Sequence, residues 1–367
     1  MKLLYITNGI NGAGGLERVL SIKASYLADN YGYQVTILSL NDAHLDPFYA
    51  FSNKINMISI KAVGNPINYS ISYIKGIIKV IKELKPEVIS VCDDGLKAFF
   101  LPIILEKKIP IIYERHVSKS IEQHNSDNII KKLITKITCF LMNYLGHKFD
   151  KFIVLTEGNL AEWIGLNNLQ VIPNPLSFYP DRSSFLINKK VIAVGRQCYQ
   201  KGYDILLSVW KLVNKKFPEW KLEIYGKKDI DQNLEVLSKK LQLDNSVSFF
   251  DPVKEIDEKY MESSIYVMSS RFEGFGMVLI EAMACGLPCV SYNCPHGPAD
   301  IIKEGQDGFL IQNGDIEAFA RSILKLIENE ELRIHMGEKA KENVQRYKPD
   351  AIMALWDNLF TSLIKVS

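Results

Sequence analysis

The chain has 367 residues, 47% of them hydrophobic and 23% charged, with a formal net charge of +2. That length favours two domains, each with its own core, and the near-neutral balance argues against a dedicated nucleic-acid binder. Six cysteines in so long a chain do not make a disulfide framework, and no apolar run approaches the ~18 residues of a membrane span.

In chain order, the opening run KLLYIT (2–7) reads as a buried strand and ends at Thr7-Asn8-Gly9. It is too short for a signal peptide, so a cytoplasmic location is expected. QVTILSL (34–40), EVISV (87–91), PIIY (110–113) and KFIVL (151–155) continue the strand series. Between them, segments near 16–30, 70–84, 95–106 and 128–147 carry apolar residues at helical spacing. The stretch 173–184, rich in Pro, Ser and Asn, has no helical period and reads as a linker. The pattern then restarts with KVIAVG (190–195), KLEIYG (221–226), SVSFF (246–250), SIYVMS (264–269) and LPCVSY (287–292). Strands alternating with helices imply parallel sheets. The expected fold is two doubly wound, Rossmann-like α/β domains facing a central cleft. The boundaries are 1–175 and 176–348, with a last helix in 349–367 that could pack back on the first domain.

Ligands of such sheets bind beyond the carboxyl ends of the strands, and four loops there carry unusual residues. TNGINGAGGLER (7–18) holds Gly9, Gly12, Gly14 and Gly15 before a helix, a setting that suits an anion. Glu17 stands where the dinucleotide fingerprint needs its third glycine, and no Gly-Lys-Ser/Thr follows. A plain tight turn is the alternative. YERHVS (113–118) sets Arg115 and His116 at a strand end, although a lone histidine is more often a packed residue. VGRQCYQKG (194–202) offers Arg196 as a fork and Lys201 as a point charge for a diphosphate, against the reading of two solvated loop charges. SRFEGFGMVLIEAMACG (270–286) puts Glu273 before a Gly-Phe-Gly turn and Glu281 inside an apolar helix. With the helix starting near Gly276, its N–H groups meet an anion and each carboxylate accepts hydroxyls on one side of it. Capping plus a surface charge fits poorly, because the neighbours of Glu281 are apolar.

These residues resemble a retaining GT-B glycosyltransferase of family four. The signatures are Gly14-Gly15, Gly195-Arg196…Lys201-Gly202 and Glu273-Gly274-Phe275-Gly276…Glu281, and the likeness covers nearly the whole chain. The resemblance implies that Arg196 and Lys201 hold the donor diphosphate, Glu281 the ribose, and Glu273 the hydroxyls of the transferred sugar. Phe275, Gly276, Met277 and Val278 would contact sugar and phosphate through the backbone, Gly15 would close over the phosphates, and His116 would lie beside the reacting sugar. His116, Arg196, Lys201 and Glu273 would thus be the catalytic set. Gly195, Gly274, Tyr225, Gly226, Pro252 and Val253 complete the donor site, the base lying near the last four of these. Gly14, Arg18, Arg115 and His116 would serve the acceptor. Asp251-Pro252 stands where the family usually has glycine, and Asp300 where it has glutamate.

The implied substrate is a nucleotide sugar, most simply a UDP-sugar carrying a hexose or N-acetylhexosamine. No metal cofactor is expected, because two cations and a helix end stabilise the leaving group and Asp93-Asp94 are adjacent rather than in a D-x-D pair. Cys285, Cys289, Cys294 and His296 match no paired zinc pattern. A UDP-sugar epimerase of the same architecture and a non-catalytic sugar-nucleotide-binding protein are the rival readings. Residues 107–151 hold nine basic and four acidic side chains. The apolar stripe Ile129, Ile130, Leu133, Ile134, Ile137, Phe140, Leu141, Tyr144 and Leu145 either packs into the first core or, with Lys131, Lys132 and Lys136, meets an anionic membrane surface. The second reading predicts peripheral association on the inner face of the plasma membrane, and a glycan acceptor carried on polyprenyl diphosphate.

Overall fold

The computed structural model describes residues 1–41, 46–93, 95–105, 109–119 and 129–365, the side chains of 129–131 excepted. Asp94 and residues 107–108 and 120–128 of the basic stretch therefore lie outside the described residues. The chain divides into two compact units, Met1–Ser177 with Pro349–Ser367, and Phe178–Lys348.

The first unit is built on a seven-stranded sheet in the order β3-β2-β1-β4-β5-β6-β7. These strands are β1 (Lys2–Thr7), β2 (Gln34–Leu40), β3 (Asn56–Ile60), β4 (Val88–Cys92), β5 (Ile111–Glu114), β6 (Lys151–Val154) and β7 (Leu169–Val171). The second holds six, β8 (Lys190–Val194), β9 (Lys221–Tyr225), β10 (Val247–Phe250), β11 (Ile265–Met268), β12 (Cys289–Tyr292) and β13 (Gly308–Ile311), in the order β10-β9-β8-β11-β12-β13. Every pairing is parallel. Central strands such as β4 and β11 are buried at every position, as helices on both faces of a parallel sheet require. The strand order reverses between β1 and β4 and between β8 and β11, and both switch points are ligand-binding places by topology.

Two departures from the sequence reading have local causes. The second helix starts at Pro66, because Asn65 caps it by accepting from the Asn68 N–H and proline suits a first helical position. The expected helix near 95–106 is a 3-10 turn, Leu96–Phe100, followed by the short helix Leu101–Ile104 with Pro102 inside it.

The last helix, Pro349–Lys365, belongs to the first unit. It buries Met353, Trp356 and Phe360, and the Tyr33 hydroxyl donates to its Asp357 at 2.6 Å. The helix Ile129–Gly146 faces the other way from the simpler expectation: Leu133, Ile134, Ile137, Phe140 and Tyr144 are exposed, and burial falls on Met142 and Leu145.

Candidate active site

In the second unit, β8 ends in a turn at Gly195, and a Cβ on Gly226 at the end of β9 would collide with the Gly195 carbonyl. Gln197 fastens this turn by donating its side-chain amide to the Gly226 carbonyl at 2.9 Å. A 3-10 turn, Tyr199–Lys201, and Gly202 at φ +64° lead into the helix Tyr203–Lys216. That path carries the Lys201 ammonium to Glu273 Oε1 at 2.7 Å, where the Ser270 hydroxyl also donates at 2.6 Å. The two side chains are only 14% and 7% exposed, so their attraction is screened far less than that of a surface pair. Arg271 braces the assembly: it forks onto Asp204 at 2.6 and 3.0 Å, donates to the Tyr199 carbonyl, and covers the Tyr199 ring.

The helix Met277–Ala284 begins at Gly276, φ +101°, with no side-chain cap, so N–H groups of its first turn point outward. Gly297 backs directly onto the Phe275 carbonyl, leaving no room for a Cβ, while the Phe275 ring packs edge-on against Tyr347. Phe275 therefore offers its backbone, with Gly274 beside it. Glu281, the fifth residue of the helix, is 1% exposed. An ammonium from the loop after β8, meeting a carboxylate and an uncapped helix end from the loop after β11, suits a ligand with an anionic part flanked by hydroxyls.

Arg196 is exposed, its guanidinium 3.5 Å from Gln200 Oε1. Tyr225 is buried, stacked on Phe250 with centroids 4.7 Å apart, and its hydroxyl donates to Glu223 at 2.9 Å. Pro252 is exposed and Val253 half-buried just beyond. Burial raises the thiol pKa values of Cys285, Cys289 and Cys294.

In the first unit, Glu114 at the end of β5 is fully buried and bonded to the Lys23 ammonium and the Ser90 hydroxyl. Burial alone would raise its pKa, but the charge of Lys23 and the contact with His116 hold it down at about 2. His116 Nε2 lies 3.2 Å from Glu114 Oε2. Cys92, Glu114 and His116 also offer ligand atoms within 4.8 Å of one another, but Lys23 already occupies the carboxylate. Arg115 points elsewhere: it is buried, with Nε on the Val117 carbonyl at 3.0 Å and the guanidinium over Trp163. At the switch point, Asp93 accepts from Asn8 at 2.7 Å and from the Gly95 N–H at 2.8 Å, and Lys97 bonds Asn8 at 2.6 Å. The helix Gly15–Asn30 starts uncapped at Gly14, Glu17 folds back over Gly12 and Gly14, and the space at Gly15 is open. Arg18 lies over the Tyr49 ring at 4.8 Å.

The structure thus brings Lys201, Glu273 and the Gly276 helix start together and keeps Arg115 away from solvent. Sequence reading missed Ser270, Arg271 with Asp204, and the Lys23–Glu114 pair. The one available signal was Glu114 two positions before His116.

The sequence profile described as "Glycosyl transferases group 1" matches residues 181–343, and that of "Glycosyl transferase 4-like" matches residues 16–145. An uncharacterized glycosyltransferase of Haemophilus influenzae is 30% identical, covering 98% of this chain and 99% of its own. The amylovoran biosynthesis glycosyltransferase AmsD of Erwinia amylovora is 32% identical over the same shares. Among solved structures, a point mutant of TarM from S. aureus, in complex with fondaparinux, alpha-GlcNAc-glycerol and UDP, aligns with a TM-score of 0.79 at 18% identity. The alignment covers 98% of this chain and 99% of that one. The two units thus have the GT-B fold.

Proposed function

Because this chain belongs to the group 1 glycosyl transferases, we propose that it transfers a hexose or N-acetylhexosamine from a UDP-sugar to a glycan acceptor in polysaccharide assembly, with retention at the anomeric carbon. The observation that carries this reading is the Lys201–Glu273–Ser270 cluster beside the uncapped helix start at Gly276. Lys201, Arg196 and the helix N–H groups would take the diphosphate, Glu273 the sugar hydroxyls and Glu281 the ribose. The acceptor hydroxyl oxygen attacks the anomeric carbon on the face that the diphosphate leaves. Its proton passes to the departing diphosphate oxygen, while the fixed positive charge stabilises the developing negative charge. No metal has a part in this scheme. The amylovoran enzyme supports polysaccharide assembly, and the TarM complex supports UDP as the donor nucleotide.

The acceptor in this reading is a glycan on polyprenyl diphosphate, met at the inner face of the plasma membrane. Its support is the exposed apolar face of the helix Ile129–Gly146, flanked by exposed Lys132 and Lys136. Among the described residues, no helix is long and apolar enough to cross a membrane.

The donor reading is tested by thermal shift with a panel of UDP- and GDP-sugars, followed by UDP release from the stabilising donor in EDTA. A UDP-sugar should raise the melting temperature and turn over unaided by metal. Stabilisation only by GDP-sugars, or turnover restored solely by Mn²⁺, sinks the corresponding part.

A further inference from the structure

Glu114 is the hub of a buried network that the transfer scheme does not use. Its Oε1 accepts from the Ser90 hydroxyl and its Oε2 from the Lys23 ammonium. Lys23 is itself enclosed by aromatic rings, 3.8 Å from the centroid of Trp356 on the last helix and 5.0 Å from that of Tyr5. Lys23 balances the carboxylate charge inside the network. An ionised carboxylate can only accept hydrogen bonds, so the nitrogen facing it, His116 Nε2 at 3.2 Å, carries a proton. In a neutral imidazole the other nitrogen is then a lone pair. His116 Nδ1 is buried, and it has no hydrogen-bond partner among the described residues, on a side chain only 6% exposed. A buried acceptor without a partner in the free protein is an opening for a donor group on a ligand.

We propose that Glu114, held by Lys23 and Ser90 beneath the last helix, is a positioning residue: it fixes His116 as the Nε2–H tautomer, so that Nδ1 accepts a hydrogen bond from a substrate hydroxyl. The identity of that hydroxyl as a sugar's rests on the glycosyltransferase reading; the tautomer does not. A lone pair in a buried site welcomes an O–H and repels an oxyanion, so this histidine binds hydroxyls rather than phosphates. The anion-binding groups lie in the other unit, on Lys201 and the helix start at Gly276.

The test is the long-range ¹H–¹⁵N spectrum of the full chain labelled at histidine, near neutral pH and without ligand. A His116→Gln spectrum identifies the two nitrogens among those of six histidines. The expected result is a neutral imidazole protonated at Nε2. In the Lys23→Met, Glu114→Gln double variant, which removes both charges at similar volume, the same signals should report a mixture of tautomers. The single Glu114→Gln variant strands the Lys23 charge and serves only if it folds. Wild-type protein showing Nδ1–H or an imidazolium overturns the proposal, as does a folded double variant with an unchanged tautomer. Zn²⁺ that shifts the His116 nitrogens at equimolar amounts also overturns it, by making Cys92, Glu114 and His116 a metal site. No turnover is needed, so failure here leaves the donor reading standing, and failure of the donor panel leaves this result intact.

Discussion

At the scale of single residues, Lys201 and Glu281 are both charged groups of the second unit yet should act at different stages. Lys201 sits on the loop after β8 with its ammonium on Glu273, and would meet a leaving group there as charge develops. Lys201→Ala should lower kcat by about 10²–10³, the usual effect of removing one preorganised stabilising group, with little change in KM. Glu281 is held deep in its helix and would touch a part of the donor that does not change during reaction. Glu281→Ala should raise KM and leave kcat nearly intact. Steady-state kinetics with the donor chosen by thermal shift separates the two, and equal losses in kcat from both would remove the distinction. The spacing of Gly195, Arg196 and Lys201 was legible in sequence because a short loop fixes it. Ser270 and the Arg271–Asp204 fork were not: the fork joins residues 67 positions apart and exists only once two strands have aligned their ends.

At the scale of elements, the strands that sequence reading missed, β3, β7 and β13, are all edge strands. An edge strand is covered less and needs fewer apolar residues; β3 is exposed at its first two positions and half-buried at the rest, and β7 is half-buried throughout. The inner strands, buried on both faces, write continuous apolar runs that any periodicity reading finds. The last helix shows the complementary limit. Its apolar stripe was plain, but only the structure shows Trp356 closing over Lys23 and Asp357 meeting Tyr33. Trp356→Ala should cost about 3–5 kcal/mol, the range for truncating a buried tryptophan. A chain of two units need not unfold in one step, so the loss should appear in calorimetry as a lowered melting temperature of one transition. Equal lowering of two transitions would mean that the helix stabilises both units.

At the scale of the whole molecule, one face of the first unit does not look like the surface of a freely dissolved domain. Leu133, Ile134, Ile137, Phe140 and Tyr144 are each more than half exposed, Phe140 by 70%, and the 3-10 turn against which this helix packs adds exposed Phe100. A contiguous apolar patch of this kind marks an interaction site. Lys132 and Lys136, both exposed, border it, and each basic residue near an anionic leaflet adds about 1 kcal/mol. A protein partner would be served by the apolar face alone, whereas a membrane uses both halves of this arrangement, and the two halves make separable predictions. In flotation with anionic vesicles, the wild-type chain should bind at low salt and be largely released at high salt. Lys132→Glu with Lys136→Glu should abolish the salt-dependent part. Ile137→Ser with Phe140→Ser should abolish binding at any salt, because screening acts on the charges and not on apolar insertion. Binding by the serine variant equal to wild type would assign the attraction to charge alone, and no binding by the wild type at low salt would move the acceptor off the membrane and into solution.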